Sequence, residues 1–258
     1  MPEIIHFVRH AQGHHNVKIA NHQMHDPDLT ALGEQQCREL AAKFPYMSNI
    51  NLVVASPLRR TVNTALISFK PQIENKGLKV LGLPDLQEVA DLPCDTGTDP
   101  DLLKIIFSHK PVDLGLVEEG WNSNQGKYGC TTEELMARAK RARQWLFARP
   151  EKEIVCVTHG SFLHYLTEDW SDANRFRGTG WSNTEFRTFR ITNARGDNPF
   201  LKETRESEDH RLGHETALTF QDQVELHRVA EKDNEAQTLQ MESDARANAE
   251  AMCAKSAL

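Results

Sequence analysis

A chain of 258 residues with 30 basic and 37 acidic side chains carries a formal charge of −7. The acidity lies at the end: residues 201–258 hold thirteen acids and seven bases, while the first 200 residues are close to neutral. That balance gives no basic field for nucleic acid, and no uninterrupted apolar run approaches the length that spans a bilayer.

The length fits one large α/β domain, or a smaller one with an appendage. Cys37, Cys94, Cys130, Cys156 and Cys253 are spaced for neither a zinc ribbon nor a redox motif, and read as reduced thiols of a cytoplasmic or nuclear protein. No Asn-x-Ser/Thr acceptor and no signal-peptide core argue against that address.

Taken in order, Ile4-Ile5-His6-Phe7-Val8 is short, apolar and rich in β-branched residues, which predicts a strand buried on both faces. It ends on Arg9-His10. At the carboxyl end of a parallel strand, a guanidinium beside an imidazole suits an oxyanion, phosphate above all; the same pair also fits a solvated strand terminus. Residues 17–32 read as a polar loop with His22 and His25. Thr30 predicts a helix N-cap, with Cys37, Leu40, Ala41 and Phe44 at helical spacing until Pro45. A second strand follows over 52–55. Ser56-Pro57-Leu58-Arg59-Arg60 then opens a helix to about 69, with Pro57 in its first position.

A third strand is predicted over 78–81. The turn-rich segment 84–100 contains a fourth strand candidate in Leu86-Gln87-Glu88. A helix over 100–108 precedes a long loop at 109–131, the kind that serves as a lid or binding element. A helix over 133–147 leads to the clearest strand, 153–157, which delivers Thr158-His159-Gly160 to a helix running to about 168. Alternation over 185–191 suits an edge strand. From about 193 strand signals vanish, and Leu212, Leu218, Val224 and Val229 recur only loosely. Residues 237–258 are rich in Ala, Glu, Gln and Asn.

This alternation predicts a three-layer α/β/α fold with a mostly parallel sheet over 1–195. An acidic helical or partly disordered extension over 196–258 would serve self-association or a protein partner. Three strand ends carry anion-binding residues: Arg9-His10, Arg60 one turn into a helix, and His159-Gly160. Glu88 can bring a carboxyl group to the same edge.

Those residues resemble the histidine phosphatase superfamily, in its phosphoglycerate mutase-like branch. The likeness rests on Arg9-His10-Ala11 with Asn16, Leu29-Thr30-Ala31-Leu32-Gly33 through Gln36, and Ser56-Pro57-Leu58-Arg59-Arg60 with Thr64-Ala65. Leu86-Gln87-Glu88 and Thr158-His159-Gly160 complete it. It covers roughly residues 3–192. The resemblance implies His10 as nucleophile, Glu88 as acid and base, and a phosphate pocket of Arg9, Asn16, Arg60 and His159, with Gly160 opening a helix beside it. His159 is expected to be protonated among phosphate oxygens. Ala11 stands where the family has glycine; if that position needed positive φ it would be strained, and Gly13 could take the tightest turn instead.

The resulting expectation is a phosphatase hydrolysing small-molecule phosphate monoesters through a phosphohistidine, without metal or cofactor, and without nucleic-acid or membrane partners. The alternatives are a mutase-type phosphotransferase and a weakly catalytic relative acting as a binding or regulatory protein. A third is a metal-dependent hydrolase built on His14, His15, His22 and His25. Loop 109–131 has only Lys110 and Lys127 against Asp113, Glu118 and Glu119, which favours hydrolysis over retention of a sugar acid.

Overall fold

A computed structural model describes residues 1–171, 180–193, 196–212, 221, 223–232 and 243. Strands β1 (Ile4–Arg9), β2 (Leu52–Ala55), β3 (Val80–Gly82), β4 (Val112–Asp113), β5 (Glu153–Thr158), β6 (Phe186–Thr192) and β7 (Phe200–Glu203) form one sheet. Their order is β4-β3-β2-β5-β1-β6-β7. All neighbouring pairs are parallel except those of β6, which runs against both β1 and β7.

Helices α1 (Ala31–Lys43), α2 (Arg59–Ser68), α3 (Lys70–Lys76), α4 (Pro100–Ile106), α5 (Thr132–Phe147), α6 (Gly160–Thr167) and α7 (Arg205–Leu212) connect or flank the strands. Successive strand residues face opposite ways, and the core divides accordingly. Val8, Val53, Ala55, Val155 and Val157 pack in one cluster with Leu40 of α1 and Val62 and Ala65 of α2. Phe7, Val54, Ile154 and Cys156 alternate with them and are also buried, and α6 lies against β1 on packing shared with α5. A strand buried on both faces reads as a near-continuous apolar run, as β1, β2 and β5 do, with buried His6 of β1 satisfied by Thr188 and Glu153.

The chain divides into two compact units, Met1–Asp169 with Trp181–Ala217, and Trp170–Gly180 with Leu218–Leu258. In the second, residues 223–232 are helical, and the Trp170 ring stacks on His227 with centroids 4.0 Å apart. Leu218 and residues 237–258, except Ser243, lie outside the described residues, as does Cys253.

Several local expectations are corrected. The strand over 185–191 is not an edge, because β7 pairs outside it. That last strand hid because one of its inward positions is Glu203, a charge buried against Arg211 at 2.6 Å and the Ser207 hydroxyl at 2.6 Å. Residues 86–88 form no strand: Pro84–Leu86 is a 3-10 turn. Helix α2 begins at Arg59, two residues after Pro57, with the buried Asp26 carboxylate accepting the Arg59 N–H at 2.9 Å. Helix α3 follows at once where none was predicted, as does β4 inside the long loop.

Ala11 is fully buried and is not among the residues with positive φ, so alanine there carries no backbone strain. Gly13 is extended, with φ −92° and ψ 165°, and takes no tight turn. Thr30 caps α1 as expected, its hydroxyl accepting the Gly33 N–H at 3.0 Å. Gly33 itself is fixed by space: a Cβ there would strike the Gln12 carbonyl, which cannot yield without losing its 3.0 Å bond from the Thr30 N–H. Gly33→Ala gains about 1 kcal/mol of helix propensity but is expected to cost a net of about 1–3 kcal/mol through overpacking, read as a lower urea midpoint. An unchanged midpoint would contradict this contact.

Candidate active site

Strands β1, β5 and β2 are adjacent and parallel, and their register decides what meets at the edge. Arg9 pairs with Thr158 and Ala55 with Val157. The next residues out, His10, His159 and Ser56, therefore leave the sheet side by side. Two further bonds extend the ladder, from His10 N–H to the Thr158 carbonyl at 2.9 Å and from Ser56 N–H to the Val157 carbonyl at 3.0 Å.

His10 is almost wholly buried, with Nδ1 2.7 Å from the Ala11 carbonyl oxygen. A carbonyl can only accept, so Nδ1 carries the proton and Nε2 keeps its lone pair. Burial, then the charges of Arg60, His15 and Arg9, hold the ring well below the usual imidazole range. The ring is neutral, with one nitrogen anchored and the other available to attack.

Arg60 is fully buried. Its Nη1 donates to the Cys94 carbonyl at 2.5 Å; Nη2 donates to the Asp95 carboxylate at 2.8 Å and to His159 Nδ1 at 3.2 Å. Since Nδ1 accepts, the His159 proton sits on Nε2, which donates to Ser56 Oγ at 2.9 Å. Burial and then Arg60 hold His159 well below the usual imidazole range. Beside the buried guanidinium His159 is neutral; the protonation expected from the sequence concerns the ring among phosphate oxygens. Its ring centroid lies 5.2 Å from that of His10. The neighbouring Arg59 instead pairs with Asp28 nearer the surface.

Glu88 reaches this edge from the segment after the 84–86 turn. Its Oε1 accepts the N–H groups of Val89 at 3.0 Å and of Phe162, in the first turn of α6, at 3.1 Å. The start of α6, with Gly160 its first residue, is thus bonded to Glu88. Buried Arg138 donates to the Glu88 carbonyl at 2.8 Å and lies 4.5 Å over the Phe162 ring, fixing both. Although Glu88 keeps some exposed surface, crowding of its carboxyl by protein, and then the charge of Asp95, push it up to about 7 against the pull of Arg60 and Arg9. Burial raises Asp95 too, against the pull of its ion pair with Arg60, so the two carboxyls titrate as a pair.

Arg9 is half-buried and donates to the Trp181 carbonyl. Residues 183–185 clamp the same strand end: Asn183 Nδ2 donates to the His10 carbonyl at 2.9 Å and Thr184 N–H to the Arg9 carbonyl at 3.1 Å. Thr184 does so at φ +61°, a left-handed conformation costly for a β-branched residue. Asn16 is exposed, and its side-chain oxygen accepts the Gly13 N–H at 3.0 Å. It closes the 3-10 turn His14–Asn16 and is hydrogen-bonded to none of the other site residues.

The sequence reading missed Asp95, whose only signal was an acid in a turn-rich segment seven residues after Glu88. Trp121 packs against the segment that follows Asp95. The buried indole donates to the Thr98 carbonyl at 3.2 Å and packs where a side chain on Gly97 would sit, while its own carbonyl accepts from Gln87 at 2.9 Å. Among the described residues, no group of three His, Cys, Asp or Glu side chains is arranged to hold a metal ion, and no helix is long and apolar enough to cross a membrane.

Fold and site define an α/β protein with a neutral, anchored histidine and buried arginine at the carboxyl edge of a mostly parallel sheet. A family model for the histidine phosphatase superfamily (branch 1) matches residues 5–202, and the chain belongs to that superfamily. It is 31% identical over 201 residues to phosphoglycerate mutase-like protein 1 of Arabidopsis thaliana, covering 62% of this chain and 69% of that one. It is 30% identical over 162 residues to a protein of Schizosaccharomyces pombe named a probable phosphatase, covering 60% and 73%. The ecdysone phosphate phosphatase from Bombix mori shares the fold, with a TM-score of 0.50 at 15% identity over 78% of this chain and 92% of that one.

Proposed function

We propose that the protein hydrolyses phosphate monoesters through a phosphohistidine on His10. The observation that carries this reading is the bond from His10 Nδ1–H to the Ala11 carbonyl, which leaves Nε2 as a fixed, unprotonated nucleophile. In the first step Nε2 attacks phosphorus, the P–O bond to the leaving group breaks, and Glu88 gives its proton to the departing oxygen. In the second, Glu88 takes a proton from water as the water oxygen attacks phosphorus and the P–N bond breaks. Arg9 and Arg60 carry the charge on the equatorial oxygens, and neutral His159 donates from Nε2 by turning from Ser56 to the phosphoryl group. Such transfer depends on positioning and charge more than on covalent chemistry.

Hydrolysis is favoured over phosphoryl transfer to a sugar acid because both bases of loop 109–131 are engaged elsewhere. Lys110 donates to Asn63 at 3.2 Å, and Lys127 lies 4.8 Å over the Tyr128 ring and 3.9 Å from Glu118. The phosphatase-named relative supports the same activity class. The purified protein is expected to hydrolyse a generic aryl phosphate with EDTA present; activity abolished by chelation and restored by a divalent metal would contradict the scheme.

A further inference from the structure

Four histidines near the front of the chain have no part in the scheme above, and the structure separates them. His14 and His25 are exposed. His15 is only 7% exposed, with its ring centroid 5.4 Å from that of His10. His22 stands behind it at 6.4 Å.

The His15 ring makes no hydrogen bond, and its Nδ1 is fully enclosed. A Cβ on Gly13 would fall 2.8 Å from Nδ1 and Cε1, so glycine at that position is what admits the ring. The Asn16–Gly13 bond and the His14 N–H bond to the Asp28 carbonyl at 3.0 Å hold the turn that carries it. With Nδ1 enclosed, Nε2 is the nitrogen that retains access. A residue acting as filler would be apolar, since a buried polar atom without a partner costs about 1–3 kcal/mol. The charges bearing most on the ring are Arg60, His22 and Arg9; together with burial, the largest cause, they push it down to about 2. His15 is therefore a neutral donor in a field that attracts anions.

We propose that His15 is a third imidazole of the anion site, donating its Nε2–H to a phosphoryl oxygen of the monoester bound at His10. This rests on the phosphatase reading above. It gives the turn His14–Asn16 a substrate-contacting residue and Gly13 a functional reason. A bound dianion also reverses the local field, so its arrival raises the proton affinity of His15.

The test is direct binding of inorganic phosphate and orthovanadate by calorimetry to the wild-type chain, His15→Phe and His15→Gln. Phenylalanine keeps the ring's packing without a donor and is expected to weaken phosphate binding about tenfold or more. Glutamine, with an amide N–H, is expected to recover part of that loss, which packing alone would not do. In ¹⁵N-histidine-labelled wild-type protein, the His15 ring nitrogens are expected to shift on adding phosphate, a readout that stands if a variant fails to fold. Phosphate binding equal in His15→Phe and wild type, or His15 resonances unmoved by bound phosphate, would overturn the proposal and leave the phosphatase reading intact. A wild-type chain that neither binds phosphate nor hydrolyses any of a panel of monoesters would overturn both.

Discussion

His10→Ala is expected to lose hydrolysis of any phosphate monoester by about 10³-fold or more while keeping the wild-type fold, because it removes the atom proposed to accept the phosphoryl group. The ring packs between His159 and His15 and is not part of the main apolar cluster. Its loss should therefore cost far more in rate than in stability. Arg60→Ala makes the contrast: it removes the charge proposed to face the phosphoryl oxygens, expected to cost about 10²–10³-fold, and also releases Asp95, Cys94 and His159 from the partner that holds them. A circular dichroism melt beside each rate separates the two effects. Turnover retained in folded His10→Ala would reject the mechanism.

The second expected result concerns pH. Glu88 must be protonated to release a poor leaving group, and it is held near 7. For an alkyl phosphate, kcat/KM is therefore expected to fall above about pH 7, as the acid is lost. Glu88→Gln cannot transfer the proton and is expected to slow alkyl phosphates about 10²–10⁴-fold, and aryl phosphates with good leaving groups much less. Asp95→Asn removes the negative charge that raises Glu88, so the descending limb should move to lower pH. The substrate's own ionisation near about pH 6 is common to both proteins and drops out of the comparison. A limb that stays in place, or moves to higher pH, would contradict the carboxyl pairing.

The elements buried on both faces were legible in the sequence because they read as nearly unbroken apolar runs, His6 in β1 being the polar exception. Strand β2 falls on the predicted residues, and β1 and β5 run one residue further, onto Arg9 and Thr158, whose backbones still pair. The positions of His10 and His159 follow from those strands, since each leaves the sheet one residue after its last pair. What stayed hidden depended on tertiary partners. Glu203 reads as a surface acid until Arg211 and Ser207 are seen to meet it. Asp95 and His15 lie in turns with no period, and only the fold brings them to Arg60 and His10. The Arg60–His159 bond stayed hidden for a related reason: the sequence holds both residues but not the fold that lets the guanidinium donate to the imidazole.

The central claim, a phosphoryl group carried on His10, is tested most directly by trapping it. Protein mixed briefly with a ³²P-labelled aryl phosphate and quenched in alkali is expected to retain label that is stable to base and labile to acid, in the peptide containing His10. The same label should be absent from His10→Ala. Sustained turnover with no trapped label, or label confined to a serine or carboxylate, would contradict the account.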